Sequence, residues 1–205
     1  MGALTNLDIN VVDSVNFINC GYCICNEKII MNHIVVDVES DGPIPGKFSM
    51  VCFGAVIVTP ELNKTFYGKT KPISDLWIPD ALKISGFSRE EHLEFDKPEE
   101  VMLAFEKWLT ENSNGKPVFW SDNPAFDWQF INYYFHKFLG KNPFGFSARR
   151  IGDIYCGMKM DSGLNSEWKR KYRISPHNHN PVSDARGNAE ALLKFKEMGF
   201  KIKLE

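Results

Sequence analysis

Asn32-His-Ile-Val-Val-Asp-Val-Glu-Ser-Asp-Gly42 is the stretch whose reading decides the fold. Residues 34–38 form a short run of Ile and Val interrupted by one carboxylate, the pattern of a strand buried on both faces. Asp37 and Glu39 stand two apart, and on a strand residues two apart project from the same face. Two acids side by side at the end of a buried strand carry a desolvation and repulsion cost that a cation between them removes. Taken alone, the pair is more simply read as a solvated strand end.

Working outward, residues 49–58 (SMVCFGAVIV) and 63–71 (NKTFYGKTK) are rich in β-branched and aromatic residues and read as two further strands. Pro60 and Asn63 punctuate a tight connection, so the first three strands are expected to form an antiparallel meander. From Pro98 to Asn112 the apolar residues Val101, Met102, Phe105, Trp108 and Leu109 recur at three and four residue intervals, a helix with Pro98 in its first turn. A fourth strand is expected over 116–120, a helix over 125–139 closed by Gly140, and a last helix over about 183–198. Strands first and strand–helix units later predict an α/β sandwich with a mixed sheet.

Composition narrows the function classes. The formal charge of −2 argues against a protein that coats nucleic acid through bulk electrostatics, so any such contact must be local. No apolar run reaches the ~18 to 20 residues of a membrane span, and no secretory signal pattern opens the chain, so the expected partners exclude a membrane and the expected location is cytoplasmic. The odd set Cys20, Cys23, Cys25, Cys52 and Cys156 predicts reduced thiols, and no second Cys or His pair stands near the first three at a zinc-like spacing. Residues 1–30 lack a sustained period. They are either a true extension or an over-extended start ahead of Met31, and residues 31–205 are expected to form the functional domain.

Two more clusters carry chemistry. Asp127 lies one turn into the helix of S-D-N-P-A-F-D-W-Q-F, where a carboxylate also serves simply to compensate the helix dipole. The preceding strand would deliver it to the sheet edge at which Asp37 and Glu39 emerge. Asp184 opens the final helix and His179 precedes it by five residues in a proline-bounded loop. Helix capping and a surface histidine are the plain readings of these two.

In order and spacing the three clusters resemble the DEDDh family of 3′→5′ exonucleases, which includes oligoribonuclease, ribonuclease T and polymerase proofreading subunits. Asp37, Glu39 and Gly42 match D-x-E-x-x-G; Asn123, Phe126, Asp127 and Phe130 match N-x-x-F-D-x-x-F; and His179 and Asp184 match H-x-x-x-x-D. Weaker echoes are I-S-G-F-S-R-E-E at 84–91 and G-D-I-Y at 152–155. The chain departs from the pattern at Ser40-Asp41, at Asp122, and at His177, a second histidine ahead of His179.

The resemblance implies a ribonuclease H-like fold, an α/β arrangement of a mixed five-stranded sheet flanked by helices. It implies metal-dependent 3′→5′ hydrolysis of single-stranded nucleic acid, with Asp37, Glu39, Asp127 and Asp184 holding two divalent ions, Mg²⁺ or Mn²⁺, and His179 as general base. Ser40, Gly42, Asn123 and Phe126 at the motifs, and Lys169 and Arg170 in the basic run W-K-R-K-Y-R at 168–173, are the substrate-binding candidates. Phe48, Trp120, Phe126, Trp128 and Phe146 are aromatics on which a base could stack, although most are expected in the core. RNA or short oligonucleotides are expected ahead of DNA. The alternatives are a proofreading-type DNA exonuclease, an endonuclease of ribonuclease H type, and a non-catalytic nucleic-acid-binding module on the same fold. Homodimers among the relatives extend to this chain as an expectation only.

Overall fold

A computed structural model of the chain describes residues 31–204; the N-terminal extension and its cysteines Cys20, Cys23 and Cys25 lie outside the described residues. The strand that opens the domain, β1 (Met31–Ser40), is longer than the apolar run at its centre. It lies in the middle of a five-stranded sheet with β2 (Met50–Ile57), β3 (Thr65–Lys69), β4 (Lys116–Ser121) and β5 (Ala148–Arg150), in the order β3-β2-β1-β4-β5. The first three strands are an antiparallel meander, as expected, and β4 and β5 add in parallel. The sheet is therefore mixed, and its centre is a strand that no water reaches along residues 34–36.

Strand periodicity sorts the two faces of β1. Ile34, Val36 and Val38 pack with Phe53, Ala55 and Ile57 against α3 (Pro98–Asn112) and α4 (Pro124–Leu139). Val35 packs with Val56 and Trp120 against α5 (Ile151–Lys159), α6 (Glu167–Tyr172) and α7 (Pro181–Glu197). Asp37 and Glu39 continue the second set, so both acids face the α7 layer. Two short helices, α1 (Pro79–Ile84) and α2 (Arg89–Leu93), cover the end of β2 through Leu82, Phe87 and Phe95.

Several elements differ from their sequence expectation. The last helix begins at Pro181 rather than near 183, because Asn180 accepts a hydrogen bond from the Ser183 amide at 3.1 Å and Pro181 takes the first helical position. The local pattern places neither β5, although the resemblance implies a fifth strand, nor the bounds of α1, α2, α5 and α6. All are nine residues or shorter, too brief for periodicity to separate helix from strand. Gly140 ends α4 with φ 69°, the left-handed cap expected of it. Trp120 is fully buried, its indole N–H donating to His33 Nδ1 at 2.8 Å, so it belongs to the core and offers no surface for a base. Among the described residues, no helix is long and apolar enough to cross a membrane.

Candidate active site at the end of the central strand

Register brings the acids together. Pairing of Val35 with Trp120 sets the exit of β4 beside the end of β1, and the chain turns at Asn123 into α4. The Asn123 carbonyl accepts the Phe126 and Asp127 amides at 2.8 and 3.0 Å, which closes the first turn and aims Asp127 back at β1. Its Oδ1 accepts the Val38 amide at 3.1 Å. The third element arrives from the opposite side. On β2 the residue paired with Asp37 is Gly54, and a Cβ there would stand 2.3 Å from the carbonyl carbon of Pro181. Only glycine lets the start of α7 lie directly on the strand, and one turn later Asp184 reaches the two acids of β1.

One ligand oxygen from each of Asp37, Glu39 and Asp184 lies within 4.8 Å of the others. Burial, followed by the charges of Asp127, Asp184 and Glu39, raises Asp37 well above the ordinary carboxylate range, with Arg173 opposing. Burial and Asp184 push Glu39 up to about 7, against the pull of His177. Burial also pushes Asp127 up to about 7, with Ser121 and the Val38 amide opposing and Asp122 adding to the rise. Unlike a structural ion pair, this group holds protons that a divalent cation would displace.

Asp184 is the best-held member. The Arg173 guanidinium donates to its Oδ1 at 2.7 Å and to Asn188 Oδ1 at 3.2 Å, and the His179 amide donates to Oδ2 at 3.0 Å. Sequence reasoning took Arg173 only as part of a basic run. The signal it missed is the helical spacing of Asp184, Gly187 and Asn188, whose shared face leaves room for a guanidinium. The two histidines sit on the rim. His179 Nδ1 lies 3.3 Å from Glu39 Oε1, and His177 Nδ1 lies 2.9 Å from Asp184 Oδ1.

The substrate-binding candidates separate into two groups. Ser40 is buried and its hydroxyl donates to the Gly42 carbonyl at 2.7 Å; Gly42 is packed against the ring of Phe48, so both shape the turn after β1. Asn123 is the exposed N-cap of α4, and Phe126 is half-buried beside Phe130, packed against the core. The basic run is less available than its composition suggested. Lys169 is paired with Asp122, Lys171 with Glu167 and Arg173 with Asp184, while Arg170 is exposed. Among the described residues, Phe146, at 95% exposure, is the aromatic that stands furthest into solvent.

A family model described as the 3'-5' exoribonuclease Rv2179c-like domain matches residues 32–195, which carry every one of these acids. The chain belongs to that family. A curated relative, the 3'-5' DNA exonuclease Cap18 of Escherichia coli, is 37% identical over 179 residues, covering 84% of this chain and 95% of the relative. The fold is also that of the nuclease domain of 3'hExo, a DEDDh family member bound to rAMP, with a TM-score of 0.70 at 15% identity over 86% of this chain and 96% of that one. An Escherichia coli ExoI–ssDNA complex in a zinc-bound form is similar with a TM-score of 0.64 at 17% identity, over 83% of this chain and 42% of that one. This member of the family is a 3′→5′ exonuclease, and it has the mixed five-stranded sheet that the resemblance implied.

Proposed function

We propose that the protein removes nucleotides from single-stranded 3′ ends by a two-metal hydrolysis in which Asp37, Glu39, Asp127 and Asp184 hold the ions and His179 is the general base. The observation that carries this reading is the cluster of Asp37, Glu39 and Asp184, three carboxylates within 4.8 Å whose burial and mutual repulsion are opposed by Arg173 at Asp37 and by His177 at Glu39. An all-oxygen donor set of this kind fits the hard cations Mg²⁺ and Mn²⁺. Bound there, such ions would supply Lewis-acid stabilisation of the attacking and leaving oxygens.

The side chains have separable tasks. Asp37, at the centre of the group, is flanked by Glu39 and Asp184 on the α7 side and by Asp127 at the end of the sheet. The Val38 amide orients Asp127, and Arg173 orients Asp184, so neither depends on a ligand for its direction. His179 is 47% exposed at its side chain and rests on Glu39 through one ring nitrogen. Released from Glu39, the ring would stand at the rim of the carboxylate cluster, where an imidazole nitrogen could accept the proton of an attacking water.

We place single-stranded DNA first among substrates, supported by the DNA exonuclease that is 37% identical across nearly its whole length. RNA, which sequence reasoning ranked first, is the second reading, supported by the exoribonuclease description of the family model. Matched DNA and RNA oligonucleotides with a 5′ label, digested side by side with Mg²⁺, test both. A one-nucleotide ladder shortening from the 3′ end is expected, faster on DNA; internal cuts or no cleavage would overturn the exonuclease reading, and a faster RNA ladder would reverse the substrate order.

A further inference from the structure

We infer that His177, His179 and Asp184 form a second metal site, selective for a transition-metal ion such as Zn²⁺, which adjoins the carboxylate cluster and shares Asp184 with it. The two imidazoles stand two residues apart in the loop before α7, with ring centroids 4.6 Å apart. One ligand atom from each histidine and from Asp184 lies within 4.8 Å of the others. Asp184 is the fixed member, 1% exposed and held by Arg173, while the histidine side chains are 60% and 47% exposed. A tetrahedral ion with bonds of ~2.0–2.2 Å draws its donor atoms to about 3.4 Å from one another. His177 Nδ1 already stands 2.9 Å from the carboxylate, so rotation of two exposed rings over a fixed acid closes the site.

The donor chemistry distinguishes this cluster from its neighbour. Two imidazole nitrogens and one carboxylate, with a fourth position open, suit zinc and its borderline neighbours. Asp37, Glu39 and Asp184 offer oxygen alone, which suits Mg²⁺ and Mn²⁺. His177 has no part in the hydrolysis proposed above, yet its ring, although 60% exposed, contacts Asp184 through Nδ1 and lies against His179. An ion held by these three residues would withdraw His179 from proton transfer and compete for Asp184. The two sites therefore sort metals by ligand type and oppose each other through one shared residue.

The experiment is metal titration of the purified full chain, independent of any nuclease activity. Co²⁺ serves as the visible-absorbing probe, Zn²⁺ as its competitor and Mn²⁺ as the oxygen-preferring comparison. Wild-type protein is expected to show the absorption of four-coordinate, nitrogen-ligated Co²⁺, bleached by Zn²⁺. His177→Gln should weaken Zn²⁺ binding by at least about tenfold while changing Mn²⁺ binding by less than about threefold, or ~0.7 kcal/mol. His177→Cys, which restores a zinc ligand, should recover the Zn²⁺ affinity. Thermal melts verify that both variants fold. Equal Zn²⁺ affinity in wild type and His177→Gln, or Co²⁺ spectra of an oxygen-only site, would overturn the proposal.

Discussion

Gly54 lies beneath Pro181 so closely that a single added Cβ would meet the Pro181 carbonyl carbon at 2.3 Å and the Val182 nitrogen at 2.4 Å. Because Gly54 is also the cross-strand partner of Asp37, this contact sets the distance between the first acid and the helix that carries the last one. Gly54→Ala is expected to push the start of α7 off the sheet, costing about 1–3 kcal/mol of stability and lowering kcat by about 10² through misplacement of Asp184. Chemical denaturation and steady-state kinetics check this together. A variant that loses stability but keeps its kcat would show that the approach of α7 does not position the acid.

Asp37, Glu39 and Asp127 all bind their protons more tightly in the folded chain than when unfolded. The sign of the consequence follows: in metal-free protein, stability rises as pH falls through about 7, the value for Glu39 and Asp127, toward the ordinary carboxylate range. Asp37→Asn should therefore raise Tm in the presence of chelator at pH 8, with the gain fading toward pH 5, where repulsion is already relieved. In a domain of this size each kcal/mol moves Tm by about 2–4 °C. The same variant should lose metal-dependent cleavage. A lower Tm at pH 8 would contradict the electrostatic account of the cluster.

Adding Mg²⁺ or Mn²⁺ is expected to oppose that pH trend in the wild type. A ligand at 100 times its Kd stabilises the fold by about 2.7 kcal/mol, an effect expected to be largest above pH 7, where Glu39 and Asp127 are already ionised. Differential scanning fluorimetry with and without metal across pH 5–8 measures it. Identical metal-induced shifts in wild type and Asp184→Asn would show that the ion binds elsewhere.

Arg173 is 8% exposed at its side chain and Asp184 1%, so their 2.7 Å contact is a buried ion pair. Removing one partner of such a pair costs about 3–5 kcal/mol, because the other charge is stranded. Arg173→Gln should thus destabilise the protein by that order, and Arg173→Gln with Asp184→Asn should cost less than the two single changes added. Denaturant melts of the four proteins form the cycle. Additive losses would mean that the guanidinium holds the loop against α7 and leaves the carboxylate unaffected.

His179→Ala is expected to cut kcat by about 10²–10⁴ while Mn²⁺ binding by calorimetry stays within about twofold, a difference near 0.4 kcal/mol. An equal kcat loss at His177→Ala would transfer the role of base from one histidine to the other.

The sequence alone determined the kind of site and much of the fold. Asp127, His179 and Asp184 joined the set through the resemblance of their motifs, in order, to the DEDDh family. Alternation around Val35, Asp37 and Glu39 placed both acids on one face, because the strand period is a local property of the chain. The central helices 98–112 and 124–139 were legible for the same reason. Short elements were not. The three residues of β5 and the six of α6 owe their conformation to neighbours distant in sequence.

Tertiary structure decided which charges are free. Lys169, Lys171 and Arg173 form one basic run in the sequence, yet each is spent on a carboxylate, two of which come from other elements: Asp122 after β4 and Asp184 on α7. Packing likewise decided that Trp120 is core and that Ser40 and Gly42 build a turn. Pairing partners, burial and the close approach of Gly54 to Pro181 depend on contacts between residues far apart in the chain. No local pattern encodes such contacts: the chemistry of the site could be read residue by residue, whereas its electrostatic balance arises only when the chain is folded.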